Sequence, residues 1–151
     1  MKRIIQIALL AVVAISLIWL VMPHQSKVDA TSATTTAAPA EYVAYYFHRT
    51  ARCVTCLKIE HSAHDVIFRE FADQLREGKL LFLPTDVEAT GNEHFIKEYE
   101  LVSQALVLVN YDDGRVARFR NLDRIWDLVS DSAQFDQYVR HEVATFLGRT
   151  P

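Results

Sequence analysis

A chain of 151 residues has room for one domain, and its 50% hydrophobic content is inflated by a single N-terminal run that supplies much of it. From Glu41 onward there are 13 Lys and Arg against 18 Asp and Glu, a net charge of −5. That balance excludes a phosphate-neutralising surface for nucleic acid and argues against adhesion to anionic lipid.

Lys2 and Arg3 precede an apolar run from Ile4 to Met22, broken only by Gln6 and Ser16. At about 1.5 Å per residue such a helix is about 28 Å long, close to the hydrocarbon thickness of a bilayer. Residues 1–22 are read as a signal anchor, with a cleaved signal peptide as the alternative. A secretory signal has a shorter apolar region ending at small residues, and Val28-Asp29-Ala30 and Ala38-Pro39-Ala40 are candidate cleavage sites. The positive-inside rule keeps Lys2 and Arg3 cytoplasmic, so everything beyond Met22 faces the periplasm or exterior, tethered to the membrane through residues 4–22 or released if the signal is cut. Residues 23–40, small, polar and nearly free of aromatics, predict a flexible linker. Residues 41–151 form the expected domain, large enough for one modest core.

Within that domain Tyr42 to Phe47 is aromatic and β-branched, a short buried strand. A turn over His48 to Arg52 leads into Cys53, and from there to about Glu77 the pattern is helical: Ala63, Ile67, Phe71 and Leu75 recur every four residues, and Gly78 ends the run. Leu80 to Val87 is a second strand, in which Pro84 signals a bulge or an edge. Asn92 is placed to cap a short helix carrying Phe95, Ile96 and Tyr99. Ala105 to Val109 is wholly apolar and therefore a central strand. Tyr111 to Gly114 is a hairpin signal, with Arg115 to Phe119 returning. Leu122, Ile125, Trp126 and Val129 have helical spacing. Asp131 or Ser132 caps a last helix with Phe135, Val139, Val143 and Phe146 on one face. A parallel strand pair needs a helical crossover, whereas the last pair needs only the hairpin. The predicted fold is α/β: a mixed four-stranded sheet flanked by helices in thioredoxin-like order, preceded by the N-terminal helix.

The chemistry rests on Cys53-Val54-Thr55-Cys56. Two cysteines three apart are too few and too close for a structural disulfide framework, and point to redox or metal chemistry. At a helix start, after a strand and a turn, the Cys53 sulfur meets unpaired N–H groups and partial positive charge, and Arg49, Arg52 and His48 add cationic character nearby. All of this favours the thiolate, the nucleophilic form. Cys53 is the expected attacker of a partner's disulfide, Cys56 the shielded resolving thiol, and His48, Arg49 and Arg52 the tuning residues. The clustered arginines predict a stabilised thiolate and a more oxidising pair. No cofactor is needed, since the dithiol/disulfide itself carries the electrons. The expected partner is an exported or membrane thiol/disulfide protein.

Two rival readings stand beside this one: a copper or zinc carrier on the same fold, and a non-catalytic binding module with a local disulfide. Cys53, Cys56, His61 and His64 look on paper like a zinc set, but on one helix Cys53 and His64 are about 16 Å apart along the axis. No metal site is assigned. Copper held by the two thiols with a distant His94 or His141 stays open. Trp126, Tyr45, Tyr46 and Tyr99 are read as core, and the arginines of 115–124 as a solvated edge strand.

YYFHRTARCVTCLKIE, NEHFIKEYELVSQALVLV and DDGRVARFRNLDRIWDLV together resemble the thioredoxin-like proteins of the ArsF-type family, described as a subunit of nitrophenyl-compound nitroreductases. The resemblance spans Tyr42 to Leu147. It implies a thioredoxin-like fold, an extracytoplasmic setting and thiol electron transfer. The family's nitro substrate is not carried over, because no flavin or nicotinamide pattern accompanies the cysteines. Against ordinary thioredoxins, Arg52 replaces the aromatic residue before the first cysteine, Val54-Thr55 replace Gly-Pro, and Ala105, next to Gln104, stands where a cis-proline is usual. A non-proline cis bond costs about 3 kcal/mol. A trans peptide and an altered substrate groove at Gln104 and Ala105 are therefore expected. The buried carboxylate that assists the resolving thiol has no counterpart between Tyr42 and Cys53, and His48 is the candidate substitute.

Overall fold

Strand β1, Tyr42–His48, is an aromatic, β-branched stretch whose alternate side chains are buried on both sides. Placing such a strand inside a sheet buries both of its faces, and the chain does so. The computed structural model describes residues 40–149; the expected membrane or signal segment and nearly all of the linker fall outside them. Among the described residues no helix is long and apolar enough to cross a membrane.

After β1 come helices α1 (Val54–Glu70) and α2 (Ala72–Arg76), strand β2 (Leu80–Asp86) and helix α3 (His94–Glu98). Strands β3 (Ala105–Asp112) and β4 (Arg115–Asn121) follow, then helices α4 (Ile125–Leu128) and α5 (Ser132–Phe146). The domain is α/β, with a mixed four-stranded sheet in the order β2-β1-β3-β4. β1 and β2 are parallel, joined through α1 and α2, with Tyr42 opposite Leu80. β3 runs antiparallel to β1, and β4 antiparallel to β3. Pro84 lies on the outer strand β2, where the missing N–H breaks no ladder on the open side. The arginine-rich β4 is the other edge, and its charges discourage pairing with another chain.

Period-2 alternation sorts the core into two layers. Ala44 and Tyr46 of β1 with Leu106 and Leu108 of β3 face α1, α4 and α5, meeting Ile59, Ala63, Ile67, Ile125, Phe135, Val139 and Val143. Phe47, Val107 and Val109 face the other way, toward Val87, Tyr99 and Phe95. Helices therefore cover both faces, but unequally: two long helices on one, five-residue α3 on the other. Burying each large aliphatic side chain contributes about 1.5–3 kcal/mol, so the first layer carries most of the domain's stability.

Three local expectations change. The long helix does not run unbroken to Glu77: Phe71, at φ −124° and ψ 28°, leaves the helical region and buries its ring, separating α1 from α2. Asn92 does not cap α3, because its amide donates to the Asp86 carbonyl at 2.9 Å. Of the two candidate caps for α5, Asp131 serves, its carboxylate accepting from the Gln134 N–H at 3.0 Å. The hairpin turns on Asp113 and Gly114, at φ 49° and 73°, the paired positive angles of a tight two-residue turn matching strand twist.

Candidate functional site

The turn between β1 and α1 sets the site. His48 is the last residue of β1, and Cys53 is the N-cap of α1 with an extended backbone, φ −91° and ψ 159°. Its Sγ accepts a hydrogen bond from the Cys56 N–H at 3.0 Å, and its carbonyl takes the Leu57 N–H at 3.0 Å. The sulfur thus stands where serine or aspartate would stand in an ordinary cap, against donors the helix cannot satisfy itself. The two cysteines are joined as a disulfide, with Cα atoms 5.0 Å apart. Cys53 is exposed while Cys56, one turn in, is 2% exposed.

The turn is pinned from the end of β2. Thr50 donates its hydroxyl to Asp86 at 2.7 Å and its N–H to Glu88 at 3.1 Å, and the Val87 N–H reaches the His48 carbonyl at 2.9 Å. The Thr50 hydroxyl and the Glu88 N–H hold the Asp86 carboxyl below its usual range, with His48 and Arg52 assisting.

The candidate tuning residues are all placed by this turn, each with a partner. Arg52 forms an ion pair with Glu60, their side chains only 23% and 16% exposed. Arg49 lies 3.9 Å from Glu88, in solvent. His48 Nδ1 is 3.0 Å from the Arg49 carbonyl. Two carboxylates therefore offset much of the positive charge that the arginine count suggests, and the helix terminus becomes the more dependable aid to a Cys53 thiolate.

Beneath the pair lies Tyr46, wholly buried, its hydroxyl donating to the Cys56 carbonyl at 2.7 Å. Burial pushes its phenol up to about 12, against the pull of the Arg52 guanidinium. Sequence reasoning placed Tyr46 only as core and did not single out Glu60. Period 2 along β1 and the four-residue step from Cys56 to Glu60 were the signals available for them.

Gln104 shares a surface cleft with Phe47, His48, Arg49, Ile96 and Val102, so the loop before β3 and the cysteine turn flank the same depression. Ala105 is nearly buried and lines a neighbouring hollow with Leu122, Ile125 and Trp126. The Trp126 indole donates to the Gln104 carbonyl at 2.9 Å, fixing that loop. The Gln104–Ala105 peptide is trans, as expected without proline. Val102, 95% exposed, and Val54, 86% exposed, are the most open apolar side chains among the described residues.

The histidines go elsewhere. His64 stacks on Phe68 with ring centroids 4.0 Å apart and contacts Asp65 at 3.1 Å, and His94 bonds to the Gly91 carbonyl at 2.7 Å. Among the described residues no three His, Cys, Asp or Glu side chains form a group that could hold a metal ion. On the far side of the sheet the hydroxyls of Tyr45 and Tyr99 lie 3.1 and 3.3 Å from that of Tyr111, and burial raises both phenols. Two of the β4 arginines are engaged within the domain: Arg118 bonds to the Phe146 carbonyl at 2.6 Å over that residue's ring, and Arg120 pairs with Glu142 at 2.5 Å.

No protein family model matches this chain, and no curated protein matches it significantly.

Proposed function

We propose that this chain is a thioredoxin-like thiol–disulfide relay, tethered outside the membrane by its N-terminal segment and related to the ArsF-type proteins its motifs resemble. The β2-β1-β3-β4 order with one parallel and two antiparallel pairings supports the fold reading. The observation that carries the function is the asymmetry of the pair: an exposed Cys53 sulfur capping α1, and a buried Cys56 sulfur one turn away.

In the reduced state the Cys53 thiolate attacks one sulfur of a partner's disulfide. An S–S bond forms between the two proteins, and the partner's other sulfur leaves as a thiolate that takes up a proton. Cys56, losing its proton, then attacks Cys53. The intermolecular bond breaks, the partner leaves as a dithiol, and the Cys53–Cys56 disulfide closes. Two electrons pass to the partner, which takes one proton released by Cys56 and one from solvent, and a membrane dithiol restores the pair by the reverse sequence. The trans Gln104–Ala105 segment, its carbonyl engaged by Trp126, gives the partner a surface unlike that of a proline loop.

Cys56→Ser stops the second attack and tests the relay. The expected result is a mixed disulfide through Cys53 with an exported or membrane thiol protein, released by reductant. An empty trap, beside normal capture by a control thioredoxin, would refute the relay and leave a static bridge or a metal-binding pair.

A further inference from the structure

Glu60 follows Cys56 by four residues on α1, a spacing that puts the two on one helix face. Its carboxylate pairs with Arg52, the residue directly before Cys53. This is not an open surface contact: Arg52 Nε and Nη2 and Glu60 Oε2 are closed to solvent. None of the three makes a hydrogen bond of ordinary geometry, so the pair is held by charge alone, and buried polar groups left so are costly. Reduction of the disulfide frees the Cys53 thiol, on the residue next to Arg52 in the chain, to become an anion.

We infer that Glu60 is a positioning residue that holds Arg52 next to Cys53 and, by sharing its charge, limits how far the guanidinium stabilises the thiolate. The inference deepens the relay reading and rests on Cys53 being the attacking thiol. Other ionisable groups surround the pair without replacing it. Tyr46 below stays neutral to about pH 12. Asp86, at the end of β2, is engaged by Thr50. His48 bonds to the Arg49 carbonyl. His61 and His64 share an outer hollow with Glu60, and His64 contacts Asp65 there.

The test uses the full chain in mild detergent, reduced with a dithiol and freed of it. The rate of Cys53 alkylation by iodoacetamide is followed against pH by peptide mass. Glu60→Gln releases Arg52 to the thiolate and is expected to lower the Cys53 pKa by about half to one unit, about threefold to tenfold more thiolate below the pKa. Arg52→Gln is expected to raise it by a similar amount. The double variant carries no uncompensated buried carboxylate, so it guards against misfolding of Arg52→Gln. In it the effect of Glu60→Gln should vanish. An unmoved or raised pKa in Glu60→Gln, or an undiminished shift in the double variant, would overturn the inference. The readout needs no partner protein, so an unmoved pKa beside a successful Cys56→Ser trap refutes the role of Glu60 alone, whereas an empty trap refutes the relay.

Discussion

Replacing Tyr46 by Phe removes one hydroxyl from beneath the cysteine pair and leaves the ring that packs between β1 and α1. The lost interaction is the 2.7 Å bond to the Cys56 carbonyl, in a position wholly shielded from water. That carbonyl lies within α1, where the helical ladder supplies a second donor, so no orphaned acceptor is left behind. The cost is then the net value of one hydrogen bond, about 0.5–1.5 kcal/mol, or a fall in Tm of about 4 °C for a domain of this size. Because the bond reaches the main chain and not the sulfur, the oxidised and reduced proteins should lose the same amount. The pH dependence carries a sign. The folded phenol is raised to about 12 from 10.0, so its contribution is complete below pH 10 and drains away as pH climbs toward 12. The gap between the two proteins, with the natural one the more stable at pH 7, should close and then reverse over that window. Urea unfolding of both redox forms at pH 7 and pH 11.5 measures all three quantities. A loss above about 3 kcal/mol would point to collapsed packing, and a loss confined to one redox form, or an equal gap at both pH values, would refute the bond's assigned role.

The Asp86 carboxyl is held below its ordinary 3.8 by the Thr50 hydroxyl and the Glu88 N–H. The stability it lends is therefore present above that value and lost as pH falls through the lower folded one, so Asp86→Asn should flatten acid unfolding below about pH 4 in a fluorescence titration. Asp131→Ala removes the cap of α5 and should lower the midpoint of denaturant unfolding. Leu108→Ala, in the larger core layer, should cost about 2–5 kcal/mol by the same measurement. Gly114→Ala forces a Cβ into a left-handed turn residue at φ 73° and should cost about 1–2 kcal/mol, with Asp113→Gly neutral or stabilising.

What the sequence made legible follows from where its signals are local. The all-apolar run at Ala105 to Val109 marked a central strand because only a strand covered on both faces tolerates no polar alternate, and it lies between β1 and β4. Pro84 marked a bulge or an edge through its missing N–H, and β2 is an edge; Cys53 marked a helix start because Gly78 and the four-residue repeat delimited the helix behind it. What stayed hidden depended on partners distant in sequence. Thr50 and Asp86 are joined across 36 residues, and Trp126 reaches Gln104 across 22. Arg52 read alone was a cation beside a thiol. Only the turn of α1 brings Glu60 to it, and that changes the electrostatics from a cluster of positive charge to a balanced pair. Asn92 failed as a cap for a more local reason, its amide drawn to a carbonyl six residues back.

Cys53 as the nucleophile is tested most directly in the natural protein, reduced, by site-resolved alkylation against pH. A Cys53 thiol titrating below the ordinary value of about 8.5, with Cys56 protected until the protein is unfolded, is the predicted result. A normal or raised Cys53 value, or Cys56 reacting first, would contradict the claim that the helix cap makes this sulfur the working one.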